Sequence, residues 1–103
     1  MIEKVESIPT QWMLNFPHHY HWASWKGEDN VVLFHEGSGD AILLAPLGEY
    51  LLKRIGQSPI SSIELISEVS RYFKLDRDLE LVSTVESTLA SFRDMGLLIS
   101  EKQ

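Results

Sequence analysis

Residues 31–48 read V-V-L-F-H-E-G-S-G-D-A-I-L-L-A-P-L-G and carry the strongest structural signal in the chain. Two apolar runs, Val31–Phe34 and Ala41–Leu44, flank a Gly37-Ser38-Gly39-Asp40 turn, a pattern typical of a β-hairpin. The glycines of such a turn adopt positive φ at little steric cost. Pro46 follows at once and suits the first turn of a helix, because its φ is fixed and it lacks an N–H. The stretch therefore predicts a hairpin that leads directly into a helix.

The composition is that of one ordinary globular domain. The chain has 103 residues, of which 44% are hydrophobic and 23% are charged, and a chain of this length forms a single domain with its own core. A net charge of −6 disfavours a nucleic-acid partner, since phosphate binding needs clustered cations. The chain contains no cysteine, which excludes disulfides, thiolate metal sites and thiol nucleophiles.

The start of the chain and its hydropathy predict a cytoplasmic protein. Met1-Ile2-Glu3-Lys4-Val5-Glu6 lacks the apolar core of a signal peptide. No apolar run approaches the roughly 18 residues that a membrane-spanning helix needs. We therefore expect no membrane partner.

Alternating apolar residues predict three strands ahead of the helices. Tyr20–Trp25 alternates large aromatic residues with smaller ones, and the hairpin adds strands over Val31–His35 and Asp40–Leu44. Residues 1–10 are expected to be irregular. Residues 11–17 carry bulky apolar groups and form either a short strand or an arm packed on the domain.

Two helices are predicted between residues 46 and 74. The first covers Pro46–Ile55 and is closed by Gly56, at the position where a left-handed residue caps a helix. The second covers about Ser62–Lys74 and begins with the capping box Ser61-Ser62-Ile63-Glu64. Its apolar stripe, at helical spacing, consists of Ile63, Ile66, Val69, Tyr72 and Phe73.

A third helix starts near Asp78, whose negative charge favours a helix N-terminus, and ends at Met95-Gly96. Apolar residues repeat along it at intervals of three and four residues. The interface between the second and third helices is predicted to consist of Ile66, Val69, Phe73, Val82, Val85, Leu89 and Phe92. Leu97-Leu98-Ile99 then forms an apolar tail that extends or covers a strand.

Three strands followed by three helices predict an α+β fold, with a small three-stranded antiparallel sheet that carries the helices on one face. A short Leu75-Asp76-Arg77 turn joins the last two helices, as in a helix-turn-helix, and the β-ribbon makes the whole arrangement winged helix-turn-helix-like. Residues 1–103 form one domain, with residues 1–17 as an N-terminal arm or an extra strand.

Histidines and tryptophans each allow a structural and a functional interpretation. Four histidines are present, and the residues near them complete no recognised ligand set, so neither a metal nor another cofactor is expected. These histidines are His18, His19, His21 and His35. The tryptophans form a binding platform or fill the core, and the core is favoured for Trp22 or Trp25 and less clearly for Trp12.

The chain shows no sign of a catalytic centre. Its serines, histidines and aspartates come without a nucleophile elbow or an oxyanion motif. The acidic residues of the last third, Asp76, Asp78, Glu80, Glu86 and Asp94, are typical of a solvated helical face rather than of paired catalytic carboxylates. Enzyme activity is therefore not expected.

The 31–48 segment, together with Trp25 upstream and S-S-I-E-L-I-S-E-V-S-R-Y-F downstream, resembles PqqD-like peptide chaperones, also called precursor-peptide recognition elements. The likeness is to the branch associated with an HPr-kinase-related (HPr-rel-A) system, whose members often have a G-D-T-H-x-L-N-P-like segment. Residues 22–99 follow the family order. Ala41 and Ile42 stand where that branch often has Thr-His, and Ala45 precedes the proline in place of a polar cap.

This resemblance implies a non-catalytic adaptor. Family members hold the leader segment of a precursor peptide along the third strand, in a groove shared with the third helix, and deliver the peptide to a modifying enzyme. Carried over by position, the ladder bonds would come from Asp40, Ala41, Ile42, Leu43 and Leu44, and the groove wall from Val82, Val85, Glu86 and Leu89. Strand addition of this kind is expected to bind with micromolar affinity, about −8 kcal/mol.

A winged-helix transcription factor is the competing interpretation, suggested by the helix-turn-helix order alone. The third helix and its approach hold five acids against Arg77 and Arg93. A helix that enters the major groove is normally basic, so DNA binding is the weaker hypothesis. The same open strand edge could also pair two copies of the chain as a homodimer.

Overall fold

The computed structural model describes residues 10–15, 20–36 and 39–102. In chain order, its elements are β1 (Thr10–Leu14), β2 (Tyr20–Ser24), β3 (Val31–His35), β4 (Ala41–Leu44), α1 (Pro46–Gln57), β5 (Ile60–Ser61), α2 (Ser62–Phe73), α3 (Leu79–Asp94) and β6 (Leu98–Lys102). The expectations for residues 1–9, for His18 and His19, and for Gly37-Ser38 of the turn lie outside the described residues. None of the described helices is long and apolar enough to cross a membrane.

The three predicted strands form an antiparallel sheet in the order β2-β3-β4. Leu33 is the central residue of this sheet, since it pairs with Trp22 on one side and with Ile42 on the other. Gly39 has φ of 78°, a left-handed conformation that suits glycine at this reversal. The α+β prediction, with this sheet followed by three helices in a winged-helix-like arrangement, is confirmed.

A second sheet, in the order β5-β1-β6, contains the strands outside the predicted set. β1 pairs antiparallel with β6 along its whole length, from Thr10 opposite Lys102 to Leu14 opposite Leu98. Of the two alternatives for residues 11–17, the strand is therefore the observed one for residues 11–14. The apolar tail Leu97-Leu98-Ile99 leads into β6 and so extends a sheet, while the two-residue β5 had no sequence signal.

Helix α1 is longer than predicted, and the proposed cap at Gly56 is wrong. The helix continues to Gln57 and is capped by Ser58 in an extended conformation. A Cβ at position 56 would lie 3.1 Å from Leu14 Cδ1. Because a side chain there would press on β1, Gly56 serves the close approach of α1 to β1 rather than the end of the helix.

The caps of α2 and α3 follow the sequence signals. The Ser61 hydroxyl accepts a hydrogen bond from the Glu64 N–H at 3.2 Å. Asp78 Oδ1 accepts one from the Leu81 N–H at 2.9 Å. Lys74 closes α2 with φ of 58°, a left-handed conformation that ends a helix. These caps place the turn between α2 and α3 within a residue of its predicted position.

Removing the α3 cap is expected to cost about 0.5–2 kcal/mol of unfolding free energy in Asp78→Ala, since the Leu81 N–H loses its acceptor. Urea denaturation followed by circular dichroism measures this difference. Asp76→Ala, two residues earlier and exposed, is the matched control and should change stability by less than about 0.5 kcal/mol. Equal losses in the two variants would contradict the cap assignment.

The seven residues predicted for the α2–α3 interface all pack in or against the core. All seven predicted residues are buried or half-buried, and Val69, Val85 and Leu89 are completely inaccessible. Two residues of the predicted apolar stripe of α2, Ile63 and Tyr72, are exposed rather than buried. Tyr72 lies against Tyr50 of α1, with the ring centroids 4.6 Å apart.

The tryptophan prediction is reversed. Trp12 is buried, with 7% of its surface exposed, and its Nε1–H donates to the Ser62 hydroxyl at 2.8 Å. Trp25 lies beyond the end of β2 and is 57% exposed. Trp22 is at the margin of the sheet, beneath the Lys53 ammonium, which is 4.7 Å from its ring centroid. Trp12 enters the core because β1 lies centrally in the second sheet, whereas β2 is an edge strand.

Candidate functional site

The β4 strand is one edge of its sheet, since the described order places β3 on one side of it and no strand on the other. The His35 N–H donates to the Asp40 carbonyl at 2.9 Å, which makes these residues a hydrogen-bonded pair. Antiparallel pairs alternate between hydrogen-bonded and non-hydrogen-bonded. With Leu33 opposite Ile42, the alternation directs the N–H and C=O groups of Ile42 towards β3.

The same alternation directs the backbone groups of Ala41 and Leu43 away from β3, to the open edge. These two residues therefore present two N–H donors and two carbonyl acceptors in the spacing that an added strand requires. Asp40 and Leu44 bond inwards, like Ile42. The predicted ladder residues thus divide into two edge residues and three that hold the hairpin.

Side chains of β4 alternate between the two faces of the sheet. Leu44 is buried and Ile42 is half-buried on the face that carries the helices. Leu43 is 67% exposed on the opposite face, where Ala41 is also exposed. A peptide added to this edge would contact the backbone of Ala41 and Leu43 and would leave their side chains on the outer face.

Helix α1 ties β4 to α3. A Cβ at Gly48 would lie 3.3 Å from Leu44 Cδ2 and 3.1 Å from Phe92 Cζ. A side chain at this position would require both neighbours to shift by a few tenths of an ångström, so glycine suits the close meeting of these three elements. The helix-bearing face of β4 is therefore packed at the point where α1 and α3 meet.

Two of the predicted wall residues have no surface exposed to a ligand in this structure. Val85 and Leu89 are completely buried and belong to the core. On a helical wheel centred on Val85, Val82 and Glu86 lie on one flank of α3, while Thr84 lies on the opposite flank. Thr84 is on the side of Leu47 at the start of α1, since both line one pocket.

Thr84 therefore faces α1, whereas Met95, beyond the end of α3, lies near β4. Met95 lines a hollow together with Ile42 and Asp40 of the β3–β4 hairpin. Sequence reasoning missed both residues. The apolar stripe predicts where each residue lies around the axis of α3. Which flank of α3 faces β4 depends on the angle at which the helices cross.

A hydrogen-bonded cluster supports the hollow beside Met95, which has a volume of about 220 Å³. Asn15 donates from its side chain to the Gly96 carbonyl at 3.0 Å and from its backbone to the Leu97 carbonyl at 2.9 Å. The Tyr20 hydroxyl donates to the Asn15 carbonyl at 2.8 Å. Burial raises the pKa of Tyr20 above its ordinary value, so the hydroxyl keeps the proton that this bond uses.

A second depression lies against the start of α1, and we name it the acidic-rimmed pocket. It has a volume of about 460 Å³ and is lined by Leu47, Phe73, Leu75, Asp76, Asp78, Glu80, Leu81 and Thr84. Its apolar residues come from all three helices and the α2–α3 turn. One hollow therefore includes Ile42 of β4, and the larger, partly apolar pocket includes Leu47, three residues after the end of β4.

Charged residues elsewhere form no recognisable reaction centre in the described part of the chain. No three His, Asp or Glu residues there gather as a metal site. His21 lies 3.6 Å from a Glu36 carboxylate oxygen at the exposed end of the hairpin. The remaining ion pairs, such as Arg54 with Glu68 at 2.8 Å, link helices or neighbouring turns.

Comparison with known proteins gives a structural match. Neither a protein-family model nor a curated protein matches the sequence. Among solved structures, TbiB1, determined in complex with the TbiA(beta) leader peptide, superposes with a TM-score of 0.64. The match covers 84% of this chain and 93% of TbiB1, at 17% sequence identity. The chain therefore shares its fold with a protein that has been captured with a leader peptide bound.

Proposed function

We propose that this protein is a non-catalytic adaptor that holds the leader segment of a precursor peptide as an added strand on β4. The observation that carries the proposal is the open edge of β4, where Ala41 and Leu43 direct their backbone groups outwards. Main-chain bonds of this kind tolerate many peptide sequences, and pockets beside the edge add selectivity.

Two further arguments support this function. The residues of the 31–48 segment resemble PqqD-like chaperones of the HPr-rel-A branch, and TbiB1, which has the same fold, has been determined with a leader peptide. By this proposal, the natural partners are a precursor peptide and an enzyme that modifies it. The genes next to this one would name both, if they encode a short peptide and a modifying enzyme.

DNA binding is the weaker alternative on electrostatic grounds. Glu80 and Glu86 are exposed on α3, and Arg93 is paired with Asp94 at 3.8 Å. Phosphate contacts require several free cations on the recognition helix. Pairing of two copies through β4 would use the same edge as the peptide, so a homodimer would compete with peptide binding.

The test is backbone hydrogen exchange with peptides selected by messenger-RNA display from a random 20-residue library. Addition of a strand should slow exchange of the Ala41 and Leu43 amides by about 100-fold at a peptide concentration of about 100 Kd. The Ile42 amide, which already bonds to β3, is the internal control and should change much less. Nuclear magnetic resonance of the ¹⁵N-labelled protein resolves the three amides.

Two results would contradict the adaptor function. One is a selection that enriches no peptide above a control without protein. The other is a bound peptide that leaves the exchange of Ala41 and Leu43 unchanged, which would place binding away from this edge.

A further inference from the structure

The acidic-rimmed pocket has an apolar floor that the fold leaves uncovered. Leu81 is buried at its base, Leu47 and Phe73 are half-buried, and Leu75 is 49% exposed at its mouth. A volume of about 460 Å³ falls within the range of small-ligand pockets. One large apolar side chain fits in such a space.

The rim of the pocket carries three negative charges, from Asp76, Asp78 and Glu80. All three residues are exposed. The ion pairs of the described residues are His21–Glu36, Lys53–Glu49, Arg54–Glu68 and Arg93–Asp94, so none neutralises this rim. Arg77 stands between two of the acids in sequence but does not line the pocket.

The α3 N-terminus explains only part of this charge. Asp78 caps the helix through Leu81, and Glu80 lies in the first turn, where a negative charge is favourable. Asp76 precedes the cap and has no hydrogen bond or ion pair among the described residues. The acids therefore leave a negative potential around an apolar opening.

The pocket is within reach of a peptide bound to β4. Leu47 lines it and follows Leu44, the last residue of β4, by three positions. Because consecutive Cα atoms are about 3.8 Å apart, the Leu44 and Leu47 Cα atoms are separated by at most about 11 Å. A peptide that pairs with Ala41 and Leu43 arrives at the pocket within a few more residues.

We propose that the acidic-rimmed pocket selects the ligand: it takes one large apolar side chain of the bound peptide, and its rim favours lysine or arginine next to that side chain. The inference rests on the proposed function and specifies its ligand class, a basic peptide segment with an apolar anchor. Electrostatic complementarity of this kind contributes to partner choice and to the rate of association.

The peptides from the display selection provide the test. Most enriched sequences should contain an aromatic or large aliphatic residue with lysine or arginine within two positions. For one such peptide, the double variant Asp76→Asn with Glu80→Gln should weaken binding about three- to tenfold at an ionic strength of about 0.05 M, since exposed charge pairs are individually weak. The difference should shrink towards unity at about 0.5 M.

The matched control removes the same two charges elsewhere, with Asp29→Asn in the β2–β3 turn and Glu64→Gln on α2. Both residues are exposed and outside the pocket, so this variant should bind as the wild type does. Fluorescence anisotropy of the labelled peptide measures all three proteins, and circular dichroism verifies their folding.

The outcomes separate this inference from the proposed function. Peptides that protect Ala41 and Leu43 from exchange but lack basic residues, or that bind the two double variants equally, would overturn the ligand class and leave strand addition standing. A selection without enriched peptides, or without protection of those amides, would overturn both.

Discussion

Leu43→Pro is expected to weaken binding of a display-selected peptide by about 10- to 100-fold while the domain stays folded. The Leu43 N–H points out of the sheet, so proline removes a donor that only the peptide uses and leaves a peptide carbonyl without its partner. The φ of proline is tolerated in an edge strand. Titration by fluorescence anisotropy gives the affinity.

Two controls separate the backbone from the side chain and from the fold. Leu43→Ala keeps the N–H and removes most of an exposed side chain, and Ala41→Ser keeps the donor at the other edge position, so both should bind within about threefold of wild type. Ile42→Pro should instead destabilise the hairpin, because the Ile42 N–H faces β3. Wild-type affinity in a folded Leu43→Pro protein would rule out strand addition at β4.

Leu89→Ala is expected to lower the free energy of unfolding by about 2–5 kcal/mol. Leu89 has no exposed surface, and its truncation leaves a cavity between α3 and the rest of the core. In a domain of this size each kcal/mol corresponds to about 4–8 °C in Tm, so thermal unfolding should show a large shift.

Leu79→Ala is the matched control for that prediction. Leu79 begins the same helix and is 86% exposed, so the same substitution should change stability by less than about 0.5 kcal/mol. Urea denaturation followed by circular dichroism compares the two variants. If the two variants lost similar stability, the placement of the core along α3 would be wrong.

Local signals in the sequence were sufficient to predict most of the helices and strands. The turn at residues 37–40 predicts the hairpin, and Ser61 and Asp78 predict the starts of α2 and α3 through bonds that each side chain makes within three residues of itself. The prediction of a helix cap at Gly56 was wrong because the role of this glycine depends on a distant contact. Its role depends on Leu14, more than 40 residues away, and nothing near Gly56 in the sequence reports that contact.

The candidate site shows the same contrast between features set by local sequence and features set by distant contacts. The position of β4 at a sheet edge was predictable, because β4 ends a hairpin and the next element is a helix rather than a strand. The groove wall was not, since Val85 and Leu89 show the same helical spacing whether they face a peptide or the core. Burial places them in the core, and Met95, just beyond the end of α3, lines a hollow with Ile42 of β4.

The sequence by itself determined the hairpin, the helix boundaries set by Ser61 and Asp78, the apolar α2–α3 interface and the α+β class, because each depends on residues a few positions apart. Only the tertiary structure decided which tryptophan enters the core, which backbone groups of β4 stay open and which acids surround an apolar pocket. Those properties depend on β1, α1 and α3 meeting across the whole length of the chain. Packing between distant elements sets them, and no short pattern in the sequence encodes such packing.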